Sequence, residues 1–326
     1  MKPPAFWYDP DAQWLPALLS PAAAATRALT RRRLRRPGRH AGVPVICCGN
    51  LSVGGTGKTT LVLDLAHRFQ ARGRRVHLLI RGYGGARQHA LRVDPERHDA
   101  ADVGDEALLL AGTAPCWVGA DRAASARAAV AAGADLLILD DGLQNPTLHQ
   151  DWPLLVIDGE TGFGNGHALP AGPLREALAD AVPRLRGVVI IGADRRRVAA
   201  RLPPGLPVLW AALRMAPEAE ALRGRRLLAF AGIGRPGKFF DSLERLGLHL
   251  AERRSFPDHH RYSGQDARRL LRDAGRLGAT LVTTPKDATR LPPALRDHVQ
   301  ALGVSLDWTD PAARDALLHR MEQAPR

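Results

Sequence analysis

One glycine-rich stretch, GNLSVGGTGKTT at positions 49–60, constrains the fold of this chain more than any other feature. It follows the apolar run Val43–Cys48 and leads into a helix-like segment, Leu61–Arg72. A strand, a glycine-rich turn, Lys-Thr and a helix together form a phosphate cradle, in which backbone N–H groups and the helix N-terminus face the phosphates. In such a cradle Lys58 contacts the β- and γ-phosphates, and the Thr59 hydroxyl ligates Mg²⁺. The residues predicted to bind the nucleotide are Gly54, Gly55, Thr56, Gly57, Lys58, Thr59 and Thr60.

The stretch departs from the usual G-x-x-x-x-G-K-[ST] spacing, because Ser52 stands where the first glycine belongs. A glycine-rich turn with a chance lysine is therefore an alternative. The chain holds 46 Lys and Arg residues, of which only Lys2, Lys58, Lys238 and Lys286 are lysines. A lysine at the position where a compact ammonium suits the phosphates favours the cradle.

Composition limits the class of protein. A chain of 326 residues can bury a full core and is long enough for two lobes. Three cysteines without metal-ligand spacing predict neither a disulfide framework nor a metal centre, and they fit a reducing cytoplasm. The net charge of +13 indicates an anionic partner. We find no signal peptide and no apolar run of the roughly 18 residues that span a bilayer.

The N-terminal segment, residues 1–38, is basic and aromatic. Four aromatic residues lie in the first fourteen, and no Asp or Glu occurs from Ala12 to Leu63. Ser20-Pro21 predicts the start of a helix that runs to about Arg36, with Arg27, Arg31 and Arg35 on one face. This pattern is typical of a helix at a membrane interface. The alternatives are a helix docked on the protein body with a solvated arginine face, and a nucleic-acid-binding arm.

Strand-like and helix-like segments alternate after this region. The continuous apolar strands indicate a parallel sheet covered on both faces, that is, a doubly wound α/β fold of the P-loop NTPase type. Residues 200–224 are rich in Pro, Ala and Arg and read as a linker before a second, smaller α/β unit. We therefore predict a core domain at 39–215 and a smaller domain at 216–326. The predicted strands are Val43–Cys48, Val76–Ile80, Cys116–Gly119, Leu136–Asp140, Leu154–Asp158, Val188–Ile191, Leu227–Ala231 and Thr280–Thr284.

Acidic residues follow several of these strands or precede helices. Asp140 and Asp141 end a buried strand, where a P-loop protein places its Mg²⁺-organising acid, although a helix cap is the simpler alternative. Asp105 either caps the helix that follows or accepts a proton from an attacking hydroxyl. The Asp258-His259-His260 loop offers an Asp-His pair that could orient such a carboxylate. The residues alone do not separate His259 from His260.

Two loops carry further polar groups. A long glycine- and proline-rich loop over 162–176 presents Arg175 and Glu176, and long loops in compact domains are commonly functional. Residues 81–85, RGYGG, follow a strand and form a similar cleft loop.

Taken together, these motifs resemble the tetraacyldisaccharide 4′-kinases, the lipid A kinases of Gram-negative bacteria. The resemblance covers most of the chain and many separated motifs in one order, and the shifted glycine spacing is the family's own version. The motifs are Phe6-Trp7-Tyr8, the 49–59 cradle, Arg81-Gly82-Tyr83, Gly104-Asp105-Glu106, Asp140-Asp141-Gly142-Leu143-Gln144, Gly164-Asn165-Gly166, the PAGPLRE segment at 170–176, Pro257-Asp258-His259 and Lys286-Asp287.

The resemblance implies a peripheral kinase on the cytoplasmic face of the inner membrane, with two α/β lobes around a cleft. Its cofactors would be ATP and Mg²⁺, and its product the 4′-phosphate of a tetraacylated glucosamine disaccharide 1-phosphate. It implies Asp105 as the general base with His259 as its partner. It also implies that Thr59, Asp140 and Asp141, with Glu176, hold Mg²⁺. The partners implied are the acylated disaccharide and acidic inner-membrane lipids, with neither nucleic acid nor an obligate protein partner.

Five positions depart from the family pattern without removing a charged group assigned to the chemistry. They are Thr60 for Pro, Ile80 for Ser, Asn145 for His, Ala177 for Pro and Pro285 for Glu.

Two other classes of protein remain as alternatives. A nucleotide-switch module or metallochaperone would carry an N-K-x-D motif or Cys/His clusters, and the chain has neither. An ATP-dependent nucleic-acid binder would interleave basic and aromatic residues over a face, whereas these aromatics concentrate at the N-terminus.

Overall fold

The computed structural model describes residues 4–9, 14–82 and 90–323, which form two α/β lobes. The strands are β1 Val45–Gly49, β2 Val76–Ile80, β3 Leu91–Arg92, β4 Cys116–Val118, β5 Leu136–Asp140, β6 Trp152–Asp158, β7 Gly187–Ile191, β8 Val208–Met215, β9 Arg226–Ala231, β10 His249–Ser255, β11 Thr280–Thr283, β12 Val299–Ala301 and β13 Val304–Trp308. The helices are α1 Trp14–Leu34, α2 Lys58–Ala71, α3 Ala100–Val103, α4 Asp105–Ala111, α5 Arg122–Ala131, α6 Leu178–Ala181, α7 Pro236–Arg245, α8 Gly264–Leu277, α9 Pro285–Ala288, α10 Pro293–Arg296 and α11 Pro311–Glu322.

The large lobe is built on a sheet with the strand order β13-β8-β7-β6-β1-β5-β2-β4-β3. Its central strands are parallel, and the two edge strands β13 and β3 pair antiparallel with their neighbours. Side chains alternate between two buried layers, so that Ile46 and Cys48 pack under α2 while Val45 and Cys47 pack towards α5. Helices on both faces confirm the doubly wound architecture.

The small lobe contains a parallel sheet with the order β10-β9-β11-β12. Phe239, Phe240 and Leu243 of α7 cover one face, and Leu270 of α8 packs against the other.

Charged contacts join the two lobes beside the cleft. Buried Asp158, which ends β6, lies 3.1 Å from Lys238 Nζ and 3.3 Å from Arg235 Nη1 at the start of α7.

Two expectations about domain organisation are wrong. The stretch 200–224 is not a linker throughout, since β8 lies within it and pairs with β7 in the large sheet. The predicted small domain, 216–326, also extends too far. Strand β13 returns to pair with β8, and Leu317, Leu318 and Met321 of α11 join the core of the large lobe. The chain therefore leaves the large lobe for the small one and comes back.

The N-terminal helix also begins earlier than expected. Helix α1 includes Pro21 in its interior, so Ser20-Pro21 is not its start. Its arginines are partly used within the protein: Arg27 donates to Asp180 over 2.6 Å, and Arg31 lies 3.6 Å from the same carboxylate. Trp7 is buried and donates from Nε1 to the carbonyl of Pro170. Within the residues described, no helix combines the length and apolarity needed to cross a membrane.

Candidate active site

The glycine-rich loop joins β1 to α2 as the sequence predicts. Gly54 and Gly57 have φ values of 126° and 87°, which favour glycine. A Cβ atom on Gly57 would lie 2.7 Å from Ile191 Cδ1, so this turn also needs the missing side chain. The loop is held from inside by buried Asn50, whose amide donates to the carbonyls of Ser52 and Gly54 over 2.7 and 3.3 Å. The α2 N-terminus thus follows a fixed turn suited to phosphate.

Each predicted cradle residue has a definite place in this loop. Lys58 and Thr59 begin α2, with Thr60 following in its first turn, and space is open around Gly54 and Gly55. The buried Thr56 hydroxyl has no hydrogen-bond partner among the residues described. Buried polar groups rarely stay unpaired, so this hydroxyl favours a polar ligand in the loop.

The acidic pair lies beside the cradle at the end of β5. The Thr59 hydroxyl donates to Asp140 Oδ2 over 3.0 Å. Burial, with a contribution from Glu106, raises the pKa of Asp140 to about 7. Its other oxygen, Oδ1, is buried without a hydrogen-bond partner among the described residues. Oxygen ligands from a hydroxyl and carboxylates are those that Mg²⁺ prefers, so Thr59 and Asp140 fit this ion.

Asp141 is held differently from its neighbour. Its backbone has a φ of 55°, an uncommon conformation for a residue with a side chain. Its Oδ1 lies 3.8 Å from Lys58 Nζ, and Arg175 donates to its Oδ2 over 2.8 Å. Burial alone would raise the pKa of Asp141, but the two cations outweigh burial and lower it. Asp141 is therefore an ionised group that links the cradle lysine to the loop over 162–176.

Glu176 is placed apart from its neighbour Arg175. It is 2% exposed and pairs with Arg184, which also donates to the carbonyl of Leu143. Burial raises the pKa of Glu176 despite this arginine. Its Oε2 has no hydrogen-bond partner among the described residues. Of the two polar side chains that end this loop, Arg175 is the one in contact with the acidic pair.

Asp105 meets the small lobe across the cleft. It begins α4, is 4% exposed, and its Oδ1 accepts a hydrogen bond from the Glu106 amide. Its Oδ2 lies 2.9 Å from His259 Nδ1, whereas His260 contacts Asp266 instead. The fold thus selects His259 over His260, which the residues alone did not. His259 has a φ of 58°, and its amide donates to the carbonyl of Gly232.

Two more cations from the small lobe face Asp105. Arg290 Nη1 lies 3.1 Å from Asp105 Oδ2, and Lys286 Nζ lies 3.9 Å from the same oxygen. The Arg290 side chain is 3% exposed and is fixed by Asp287 and by the carbonyl of Gly232. Burial raises the pKa of Asp105, but His259, Lys286 and Arg290 together lower it below its ordinary value. Asp105 is therefore ionised, and its proton-accepting strength depends on the small lobe.

Sequence reasoning missed Arg290 and a second buried arginine, Arg122. Arg122 begins α5, is 2% exposed, and donates to the carbonyl of Gly119. None of the described carboxylates forms an ion pair with it, and burial, with Arg81 nearby, lowers its pKa to about 10. Asp140 and Asp141 act on it in the opposite direction. A buried guanidinium without a carboxylate partner favours a nearby anion. The chain is rich in arginine, and no motif around Arg290 or Arg122 distinguishes either residue from the other arginines.

One predicted cleft loop is only partly visible. Arg81 and Gly82 are described, but Tyr83, Gly84 and Gly85 lie outside the described residues.

Comparison with known proteins identifies the family of this chain. A family model described as "Tetraacyldisaccharide-1-P 4'-kinase" matches residues 15–322. The tetraacyldisaccharide 4′-kinase of Gluconacetobacter diazotrophicus is 59% identical over 318 residues, which cover 98% of this chain and 97% of that protein. Its counterpart from Rhodospirillum centenum is 54% identical over 324 residues, covering 98% and 96%.

A solved structure is similar over nearly the whole chain. The crystal structure of LpxK from Aquifex aeolicus, an "apo" form in complex with ATP, aligns with a TM-score of 0.77 and 27% identity. The alignment covers 94% of this chain and 99% of that one. From the family match and these relatives, this chain belongs to the tetraacyldisaccharide-1-P 4′-kinase family.

Proposed function

We propose that this protein transfers the γ-phosphoryl group of ATP to the 4′-hydroxyl of a tetraacylated glucosamine disaccharide 1-phosphate. The observation that carries the proposal is the Asp105–His259 contact of 2.9 Å, which sets an ionised carboxylate at the lobe junction. Asp105 begins α4, whose Ala107 and Leu110 share one buried cluster with Leu61 and Leu65 of the phosphate-binding helix α2. A phosphate donor and a hydroxyl acceptor can therefore meet between the lobes.

Different residues bind the phosphates, accept the proton and would hold the metal ion. The 50–57 loop, the α2 N-terminus and Lys58 hold the phosphates of ATP, and Arg122 offers a further positive charge. The acceptor oxygen bonds to the γ-phosphorus as the bond from that phosphorus to the β–γ bridging oxygen breaks. Asp105 takes the hydroxyl proton, and His259 orients Asp105. Thr59, Asp140 and Asp141 would hold Mg²⁺, and the ion would neutralise charge on the phosphates, whereas Glu176 is paired with Arg184 instead of contacting this acidic pair.

The direct test is transfer of label from γ-labelled ATP to detergent-dispersed tetraacyldisaccharide 1-phosphate. We expect labelled lipid, with the new phosphate at the 4′ position by ³¹P NMR. The same acceptor lacking the 4′-hydroxyl is the control and should stay unlabelled. ATP binding and slow hydrolysis without labelled lipid would reject the proposal and favour a nucleotide switch.

The pH dependence of kcat/KM should reflect the protonation of His259. Its hydrogen bond to Asp105 raises the pKa of His259 above the ordinary value of 6.5, against an opposing effect of burial. Below that pKa the positive charge of the imidazolium lowers the basicity of Asp105; above it the neutral ring keeps the same contact and orients Asp105 without opposing proton transfer to it. Because the pKa of Asp105 itself is lowered, Asp105 adds no acid limb near neutrality.

We therefore expect kcat/KM to rise with pH through a pKa above 6.5, and this limb to vanish in His259→Gln. His260→Gln is the matched control, since His260 contacts Asp266 rather than Asp105. If kcat/KM of His259→Gln rises with pH as in wild type, a group other than His259 is responsible for the pH dependence.

Helix α1 supplies the membrane contact in this proposal. Trp14, Leu18 and Leu29 are 68, 69 and 68% exposed. Their spacings of four and eleven residues place them on one side of the helix, because eleven residues make about three turns. Arg27 and Arg31 are tied to Asp180 on the protein body. The helix is thus docked through one face and leaves an apolar face to lie in the acidic cytoplasmic surface of a Gram-negative inner membrane.

Replacing Leu18 by Glu should weaken binding to vesicles of acidic phospholipid at least about tenfold, because a charge enters the apolar face. The expected readout is vesicle cosedimentation, with ATP binding unchanged. Leu213→Glu is the control, since Leu213 is also exposed, at 49%, but lies in β8. Equal cosedimentation of wild type and Leu18→Glu would disprove contact through this face.

A further inference from the structure

A second group of chemically active side chains lies away from the cleft. His40 is in the connector between α1 and β1, while His149 and Asp151 precede β6. Asp151 Oδ2 accepts a hydrogen bond from the amide of Val45, the first residue of β1. The glycine-rich loop follows Gly49, the last residue of that strand. The group therefore lies at the opposite end of β1 from the phosphate cradle.

The backbone fixes the approach of the two histidines. Arg39 and Leu148 form a parallel bridge, in which the Arg39 amide donates to the carbonyl of Thr147 and the His149 amide donates to that of Arg39. A Cβ atom on Gly38 would lie 2.5 Å from the His149 nitrogen, so glycine permits this close contact. The register of the bridge places His40 beside His149.

The three side chains present their donor atoms to one another. The imidazole rings stack with centroids 4.0 Å apart at an interplanar angle of 28°. His149 Nε2 lies 3.6 Å from Asp151 Oδ1, the oxygen that the Val45 amide leaves free. One donor atom from each of the three residues lies within 4.8 Å of the other two.

Two imidazole nitrogens and one carboxylate oxygen suit a particular class of ion. Zn²⁺ binds such ligands at about 2.0–2.2 Å, which places tetrahedral ligand atoms roughly 3.4 Å apart. The exposed histidine rings can close this gap by small rotations, and water can complete the coordination. Mg²⁺ and Ca²⁺ prefer all-oxygen sites. The residue before His40 is the positively charged Arg39, so the affinity must come from the coordination bonds themselves.

We propose that His40, His149 and Asp151 form a binding site for a divalent transition metal of the Zn²⁺ class. The bound ion joins the connector that carries α1 to the segment before β6. It therefore stabilises the attachment of the N-terminal helix to the large lobe. This site is separate from the acidic pair at the end of β5, and its test does not depend on the kinase reaction.

The test is calorimetric titration of the full chain, free of any affinity tag, with Zn²⁺ in the presence of excess Mg²⁺. The chain variants are His40→Ala and His149→Ala, with His319→Ala as the matched control because His319 is exposed in α11. We expect both test variants to lose one equivalent of Zn²⁺ or to bind it at least about tenfold more weakly. His319→Ala should match wild type.

Two further measurements separate metal binding from misfolding. His40 and His149 are exposed, so the metal-free variants should keep the circular dichroism and Tm of wild type. Zn²⁺ should raise the Tm of wild type and of His319→Ala but not of the two test variants, because a ligand stabilises only a fold that binds it. Equal Zn²⁺ stoichiometry and affinity in all four proteins, or no binding by wild type, would overturn the proposal.

Discussion

Replacing Asp105 by Asn should lower kcat by about 10²- to 10⁴-fold, the range typical of losing a general base. Asparagine keeps the size of the side chain and an oxygen for the Glu106 amide, which now donates to Asp105 Oδ1 over 3.0 Å. It removes the negative charge that His259, Arg290 and Lys286 surround. The KM for ATP should change little, because Asp105 begins α4 rather than the phosphate-binding helix.

The measurement is steady-state transfer to the disaccharide lipid, with ATP binding followed separately. Asp315→Asn is the matched control, since this aspartate of α11 is half exposed and pairs with Arg72 and Arg314 rather than with residues of the candidate site. A variant Asp105→Asn that keeps more than a tenth of wild-type kcat would rule out Asp105 as the base. Loss of ATP binding in that variant would point instead to a structural role.

The second large effect is expected at the cradle lysine. Lys58→Met should lower kcat/KM by about 10²-fold or more and weaken ATP binding, because methionine keeps the stem but removes the ammonium from the phosphates. The lysine side chain is only 12% exposed and lies 3.8 Å from Asp141 Oδ1. Loss of the ammonium therefore also removes one of the positive charges that balance the Asp141 carboxylate.

Arg68→Met tests whether the effect is specific. Arg68 lies towards the far end of the same helix, α2, and pairs with Asp64. Its replacement by methionine removes the same unit of positive charge as Lys58→Met does. We expect near wild-type transfer from this control. Lys58→Met within about threefold of wild type would contradict the cradle assignment. If Lys58→Met keeps the wild-type affinity for ATP but loses turnover, Lys58 stabilises the transition state and contributes little to binding ATP.

Local patterns were sufficient for much of the large lobe. The predicted bounds of β2 and β5 agree with the structure, because each is a largely apolar run that is buried along its whole length. The cradle followed from glycine, lysine and threonine at short range. The family resemblance rested on such short motifs, and the family match confirms it.

The misassigned regions are those whose partners are distant. Strand β8 has several exposed side chains and neighbouring prolines, so its sequence reads as a linker until β7 and β13 pair with it. The return of β13 and α11 to the large lobe has no local pattern. A buried apolar strand in mid-sheet is recognisable from its own sequence, whereas β13 at the edge and the half-exposed β8 beside it are defined by the strands with which they pair.

The sequence by itself determined the phosphate cradle, the acidic pair and the two-lobed α/β class, because these depend on residues adjacent in the chain. The tertiary structure shows that His259 rather than His260 meets Asp105, a choice that only the family resemblance had implied. The tertiary structure alone decided that Arg290 joins them and that Arg27 and Arg31 dock on Asp180. These contacts join residues about 150 or more positions apart. Their formation depends on how two lobes and a helix pack, and no local propensity encodes that packing.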